Sequence, residues 1–98
     1  MARRAAKKDG NQKTNDAYLE AVGLHVLDLS RAGNGTPDAL VAGYNRHTGH
    51  EMQVLVEWKV RGGELTPKEK KFLARWPISQ RIVTTDPDDV LRWFGIVD

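Results

Sequence analysis

The segment from residue 54 to residue 60, Val-Leu-Val-Glu-Trp-Lys-Val, constrains the fold most because its side chains alternate with a period of two. One face of this predicted strand carries four apolar side chains, Val54, Val56, Trp58 and Val60. The other face carries Leu55, Glu57 and Lys59. Alternation of this kind is typical of a β-strand. We therefore predict a strand with one face in the core and the other face holding charge.

The flanking residues predict the other elements. Gln12 follows Asp9 by three residues in a capping-box pattern, and Gly23 ends that first helix. Thr66, Pro67 and Glu69 stand at the N-cap, N1 and N3 positions of a second helix that stops before Pro77. Further strands are predicted at residues 24–29, 38–42 and 81–84, and a last helix begins at 86–89. The order αβββαβα predicts an α/β fold with a mixed sheet flanked by helices.

The chain has 98 residues, the length of one compact domain. We divide it into a basic arm, residues 1–8, and a single domain, residues 9–98. The absence of cysteine excludes disulfide scaffolds and thiolate metal sites. No stretch approaches the ~20 apolar residues of a membrane span, and the basic start lacks an apolar signal core. We expect a soluble, cytoplasmic protein with no membrane contact and no organic cofactor.

Two acids and a lysine are the candidates for chemistry. Glu57 and Lys59, two residues apart on a strand, point to the same face, although Glu-x-Lys on an exposed strand is more often a solvated pair. Asp38 begins the preceding predicted strand, where antiparallel pairing would bring it beside Glu57. Two carboxylates and a lysine at a sheet edge offer oxygen ligands for Mg²⁺ and positive charge for a phosphate. An aspartate after proline also accepts backbone N–H groups in turns, and that alternative stays open.

The order of these residues resembles the PD-(D/E)XK nuclease signature, because Pro37-Asp38 is followed after 18 residues by Glu57-Trp58-Lys59. Three further features narrow the resemblance: Gly35-x-Pro37-Asp38, Leu65-Thr-Pro67-x-Glu69, and a first helix beginning Asp9-x-Asn11-Gln12. The ordered set is similar to the small phage-type VRR-NUC domains, relatives of the archaeal Holliday-junction resolvases. It covers about residues 3–94.

The resemblance implies a restriction-endonuclease-like αβββαβ core, dependence on Mg²⁺ or Mn²⁺, and phosphodiester hydrolysis in structured DNA. The implied metal ligands are Asp38, Glu57 and the backbone carbonyl of Trp58. Lys59 would orient the attacking water or stabilise charge at phosphorus. Gln12 stands where relatives carry Glu or Gln, which implies a role near the metal, while helix capping explains it equally well. Glu69 stands where many relatives carry Gln, so its role is open.

Basic residues fall into two groups that we predict to contact DNA: Arg3, Arg4, Lys7 and Lys8 in the arm, and Arg61, Lys68 and Lys71 after the catalytic strand. Contacts from Arg, Lys and helix N-termini position a phosphate backbone without reading its sequence. We therefore expect DNA structure, and not base sequence, to decide the substrate. The three tryptophans are predicted in the core or an interface, because none sits in the basic cluster that a base-stacking platform needs.

These features predict a metal-dependent endonuclease that cleaves branched DNA such as four-way junctions. Two symmetric cuts in a junction need two sites, and one chain supplies one, which predicts a twofold homodimer. Two alternatives remain. One is a flap or nicking nuclease that acts alone or with a larger partner, and the other is a catalytically silent DNA-binding module that keeps the fold and the basic surface.

Overall fold

The computed structural model describes residues 9–97, so that the basic arm lies outside the described part. Within these residues, three helices, four strands and one 3₁₀ turn form a small compact α/β fold. The predicted order αβββαβα is confirmed. The bounds are α1 Asp9–Ala21, β1 His25–Asp28, β2 Ala39–Tyr44, β3 Glu51–Trp58, α2 Pro67–Ala74, the 3₁₀ turn Ile78–Gln80, β4 Arg81–Thr84 and α3 Pro87–Trp93. In the range 9–97, no helix is both long and apolar enough to cross a membrane.

The four strands form one mixed sheet in the order β1-β2-β3-β4. The β1–β2 and β2–β3 pairs are antiparallel. The β3–β4 pair is parallel, and α2 lies in the crossover between these two strands. Parallel neighbours need such a crossover, whereas antiparallel neighbours need only a short turn. The predicted mixed sheet is therefore present, and β3 lies inside it with a neighbour on each side.

The main core lies on one face of the sheet, between the strands and helices α1 and α3. It is formed by ten buried side chains: Leu19, Leu24, Ala39, Val41, Val54, Val56, Trp58, Val90, Leu91 and Phe94. The strand residues among them alternate along β2 and β3, which is the period expected when one sheet face packs against helices. The predicted apolar face of β3 is confirmed as far as residue 58.

The opposite face of β3 carries Glu57 and Lys59 as predicted, whereas the prediction for Val60 is wrong. Leu55 and Glu57 are buried there, and Val60, expected in the core, lies beyond the strand with 59% of its surface exposed. Near the end of this face, Glu69 of α2 contacts the Lys59 side chain and shares a hydrogen bond with the Glu57 carboxyl. Glu57, which belongs to a Glu-x-Lys pattern that is more often solvated, is therefore enclosed.

Local signals set the start of α2 as predicted. The Thr66 hydroxyl accepts a hydrogen bond from the Glu69 N–H at 3.2 Å, and Glu69 Oε1 accepts one from the Thr66 N–H at 2.8 Å. This is a complete capping box, followed by Pro67 at the first helical position. The helix ends at Ala74, two residues before the predicted Trp76.

Gly35 holds the loop before β2 against α2. Its φ of +80° is favoured by glycine, and a Cβ there would come within 2.3 Å of the Lys68 carbonyl oxygen. Gly33, in the same loop, has a φ of +73° but nothing within 4 Å of its Cβ position. The close approach of Gly35 connects the segment that leads to Asp38 with the second helix.

We expect Gly35→Ala to lower the free energy of unfolding by about 3 kcal/mol or more, because backbone strain and a clash with backbone act together. The matched variant Gly33→Ala carries the strain alone and should cost about 1–2 kcal/mol. Chemical denaturation of both variants measures the difference. Equal losses of unfolding free energy in the two variants would show that the Gly35 contact with α2 does not contribute to stability.

Candidate functional site

Asp38 and Glu57 lie on neighbouring strands at the same end of the sheet. The register pairs Ala39 with Val56, so that Asp38, the preceding residue, lies opposite Glu57. Residues directly opposite in an antiparallel pair project to the same face. The Trp58 backbone N–H donates to Asp38 Oδ2 at 2.8 Å. The structure thus brings the two predicted carboxylates together, and the backbone N–H that Asp38 accepts comes from β3 and not from a turn after Pro37.

Glu57 is almost fully buried, with 3% of its surface exposed. Burial raises its pKa, and the negative charge of Asp38 and the hydrogen bond and charge of Glu69 raise it further, to about 8. The positive charge of Lys59 opposes this shift. Near neutral pH the Glu57 carboxyl therefore holds a proton most of the time. Additional positive charge at this position would favour its ionised form.

Lys59 extends between two carboxyl groups. Its Nζ lies 2.9 Å from Glu69 Oε1 and 3.4 Å from Glu57 Oε2. Burial alone would lower the pKa of Lys59, but the hydrogen bond with Glu69 and the charge of Glu57 outweigh it and raise the pKa. Glu69 is also partly buried, yet the Thr66 N–H and Lys59 lower its pKa. Glu69, whose role the sequence left open, is therefore part of this cluster.

Gln12 is buried on α1 and reaches the same end of the sheet. Its Nε2 donates to the Asp38 carbonyl oxygen at 3.1 Å, to Asp28 Oδ1 at 3.1 Å and to Asp16 Oδ2 at 3.2 Å. These bonds connect the first helix with the segment that carries Asp38. The structure therefore brings Gln12 to the backbone of one of the predicted metal ligands.

Asp16 and Asp28 were missed by sequence reasoning. Asp16 Oδ1 accepts a hydrogen bond from the Trp58 indole Nε1 at 2.9 Å, so that α1 holds this tryptophan beside the site. Burial raises the pKa of Asp16, hydrogen bonds from Trp58 and Gln12 oppose the shift, and the charge of Asp28 adds to it. The spacing of four between Gln12 and Asp16, which puts both on one helix face, is the signal that could have identified Asp16.

The atoms at this end of the sheet that could bind a metal ion are oxygens. In an antiparallel pair, the N–H and C=O of one residue face the same neighbouring strand. Since the Trp58 N–H faces Asp38 and the Lys59 N–H faces Thr84 on the other side, this rule predicts the Trp58 carbonyl on the Asp38 side of β3. Mg²⁺ usually binds one or two protein carboxylates and keeps several waters. Two carboxylates and a carbonyl suit that chemistry, although residues 9–97 contain no group of three or more His, Cys, Asp or Glu arranged to hold a metal.

Three of the predicted DNA-contacting residues are described, and Arg61, Lys68 and Lys71 are all exposed. Arg61 follows β3, two residues beyond Lys59. Lys68 and Lys71 lie on α2 and line one cavity with Trp76, which is 40% exposed. The expectation that no tryptophan sits in a basic cluster is therefore wrong. The remaining predicted contacts, Arg3, Arg4, Lys7 and Lys8, lie outside the described residues.

The pKa of Glu57 predicts how stability depends on pH. It is about 8 in the folded chain against an ordinary value of 4.5, so the native state holds the extra proton between these values and loses stability as pH rises through that window. Glu57→Gln removes this titration. Between pH 5 and pH 9, the free energy of unfolding of wild type should fall by a few kcal/mol relative to that of Glu57→Gln. Each unit of pKa difference between the folded and the unfolded chain corresponds to about 1.4 kcal/mol.

Denaturant unfolding across this pH range measures the difference. Glu64→Gln, the same substitution at an exposed loop position, is the control for the change of side chain itself. A wild-type stability that stays constant relative to Glu57→Gln from pH 5 to pH 9 would contradict the electrostatics described for the site.

Comparison with known proteins gives no match: no family model matches the chain, and neither a curated protein nor a solved structure matches it.

Proposed function

We propose that the chain is a Mg²⁺- or Mn²⁺-dependent endonuclease that hydrolyses phosphodiester bonds in branched DNA. The observation that carries this proposal is the meeting of Asp38, Glu57 and Lys59 at one end of the sheet, with Glu57 buried beside a second carboxylate. A buried carboxyl pair is costly in the ionised form unless a cation or a proton accompanies it. A divalent cation at this position would allow both groups to ionise.

The arrangement of elements supports the same proposal. A helix, three antiparallel strands, a second helix and a parallel fourth strand follow in the order expected for a restriction-endonuclease-like αβββαβ core of VRR-NUC type. The acid before β2 and the Glu-x-Lys sequence at the end of β3 stand where the PD-(D/E)XK signature carries them. The order of the elements and the residues of the site therefore favour the same proposed function.

In this proposal the carboxylates of Asp38 and Glu57 and the backbone carbonyl of Trp58 would hold the cation. When bound, it supplies positive charge to the scissile phosphate and favours deprotonation of the attacking water. The hydrogen bond from the Trp58 N–H fixes the Asp38 carboxylate, and Gln12 fixes the Asp38 backbone. These contacts preorganise the ligands, so that little reorganisation is needed when the cation binds.

The nucleophile is water. Its oxygen forms the new bond to phosphorus as the bond to the leaving sugar oxygen breaks, and it gives up one proton while the leaving oxygen takes one up. The Lys59 ammonium lies beside the carboxyl groups, where it orients that water or stabilises the negative charge that develops on the phosphoryl oxygens. To act in this way, the Lys59 ammonium must exchange its contact with Glu69 for a contact with the substrate phosphate.

The DNA-binding surface combines the arm residues Arg3, Arg4, Lys7 and Lys8 with Arg61, Lys68 and Lys71 near the site. These residues supply phosphate contacts without reading bases, so that branch geometry selects the substrate. Because one chain carries one such site, we extend the proposal to a twofold homodimer that makes paired cuts in a four-way junction. Sedimentation equilibrium should give twice the chain mass of 11.0 kDa, and a strict monomer would contradict the paired-cut version.

A second candidate function is supported by the contacts of Lys59. Its ammonium is already paired with Glu69 at 2.9 Å and lies close to Glu57. These two carboxyl groups reduce the positive charge that a substrate phosphate would meet at Lys59. A catalytically silent module that binds branched DNA through its basic surface would keep this closed ion pair.

A cleavage assay distinguishes the two candidates. With Mg²⁺ or Mn²⁺, wild type should cut a labelled four-way junction. Asp38→Asn and Lys59→Ala should lower the cleavage rate by on the order of 100- to 1,000-fold, because each removes charge from the reacting centre. Asp38→Asn retains an oxygen that can accept the Trp58 N–H, so that the loss reports on charge and not on folding.

Lys70→Ala is the matched control for Lys59→Ala, since Lys70 is an exposed lysine of α2 with no role in the proposed site. It should cleave at the wild-type rate, and all variants should bind the junction within about twofold of wild type in EDTA. Binding without cleavage by wild type, across metals and pH, would reject the endonuclease and favour the silent module.

A further inference from the structure

The outer side of α2 carries a cavity that the proposed cleavage site does not use. Its volume is about 530 Å³, within the range of roughly 300–1,000 Å³ that is usual for small-ligand sites. Six residues line it: Asn34, Lys68, Lys71, Phe72, Arg75 and Trp76. Three of them are cations and none is acidic, so the cavity is strongly basic.

The helical spacing explains why these side chains meet. Residues 68, 71, 72, 75 and 76 recur at intervals of three and four along α2 and the turn that follows it, and therefore share one face. Glu69 and Leu73 lie on another face, where Glu69 contacts Lys59 and Leu73 is buried. One short helix thus presents one side to the candidate site and another side to the cavity.

Two aromatic rings form the apolar part of the cavity. Phe72 and Trp76 stack with their ring centroids 5.5 Å apart and their planes 13° from parallel. Trp76 nevertheless leaves 40% of its surface exposed. A tryptophan that is supported by one ring and open to solvent offers an ordered flat surface to a second planar group.

The three cations have no side-chain partner in the part of the chain that the structure describes. Within residues 9–97, the side chains of Lys68, Lys71 and Arg75 form neither a salt bridge nor a hydrogen bond. By contrast, Lys59 is fully engaged by Glu69 and Glu57. An anionic ligand in the cavity would therefore meet uncompensated positive charge beside an exposed aromatic ring.

We propose that this cavity binds an unpaired nucleotide of a single-stranded DNA segment, with its base stacked on Trp76 and its phosphates at Lys68, Lys71 and Arg75. Stacking on aromatic side chains inside a basic groove is how proteins bind single strands without sequence preference. The inference rests on the proposed function, because it assigns the cavity to the same DNA substrate. It adds that the substrate carries unpaired nucleotides next to the cleaved strand.

The position of the cavity agrees with this assignment. Lys68 is the chain neighbour of Glu69, and Asn34 stands four residues before Asp38. Gly35 packs directly on the Lys68 backbone, which joins the two walls of the cavity. The cavity and the candidate site therefore share two chain segments, α2 and the loop before β2.

The test uses the full chain in EDTA, so that binding is measured without cleavage. A fluorescent oligonucleotide of six thymidines is compared with an abasic strand of the same length and charge, by anisotropy. Trp76→Ala should weaken binding of the thymidine strand about tenfold and leave the weaker binding of the abasic strand unchanged. Trp76→Phe, which keeps a ring, should stay within about threefold of wild type.

Lys71→Glu should also lose about tenfold in affinity and reduce the slope of log affinity against log salt by about one or more. Lys70→Glu is the matched control, because it makes the same charge change at the neighbouring residue, which does not line the cavity. It should bind within about twofold of wild type. Melting temperatures of all variants verify that they fold.

Unchanged thymidine binding in Trp76→Ala, or equal losses in Lys70→Glu and Lys71→Glu, would overturn the proposal. So would displacement of the oligonucleotide by an equal concentration of a hexaglutamate peptide, which would assign the cavity to an acidic protein partner. The two proposals fail separately. Trp76-dependent binding without junction cleavage rejects only the endonuclease, and junction cleavage with unchanged oligonucleotide binding in Trp76→Ala rejects only the cavity assignment.

Discussion

The antiparallel pairing of β2 with β3 determines where the two predicted metal-binding carboxylates of the candidate site lie. It sets Asp38 opposite Glu57, and the Trp58 N–H then holds the Asp38 carboxylate at 2.8 Å. On the other side of β3, the Lys59 N–H donates to the Thr84 carbonyl at 2.9 Å. A slip of one residue in this register would turn the carboxylates to opposite faces. The site therefore depends on backbone hydrogen bonds of the central strand.

Charge balance is the second constraint at this position. Glu57 is buried beside Asp38 and Glu69, and Lys59 is the cation that contacts both glutamates. Glu69 serves two purposes, because the same carboxylate completes the capping box of α2 and holds the lysine. One helix start is thereby coupled to the candidate reacting centre, and another side of that helix forms the basic and aromatic cavity.

The sequence predicted what local patterns encode. The capping box at Thr66, the strand Arg81–Thr84 and the order of elements all follow from neighbouring residues, and each is present. Burial of Glu57 could not be predicted, since alternation alone does not show that Glu69 of α2 packs against Lys59 and Glu57 at the end of the strand. Contacts of Asp16 with Trp58, 42 residues away, and of Gln12 with Asp28, 16 residues away, depend on how distant segments pack. The basic residues around Trp76 recur at intervals of three and four along the helix, and this spacing could have predicted that they share one face.

We propose that Asp38 and Glu57 together bind a divalent cation. Calorimetric titration with Mn²⁺ at pH 7, in two buffers of different ionisation heat, tests it directly because the pKa of Glu57 is about 8 and a bound cation must displace its proton. Mn²⁺ should bind with release of close to one proton per chain, and this binding should be lost in Asp38→Asn and retained in Glu64→Gln. Binding without proton release, or equal binding by Asp38→Asn, would contradict it.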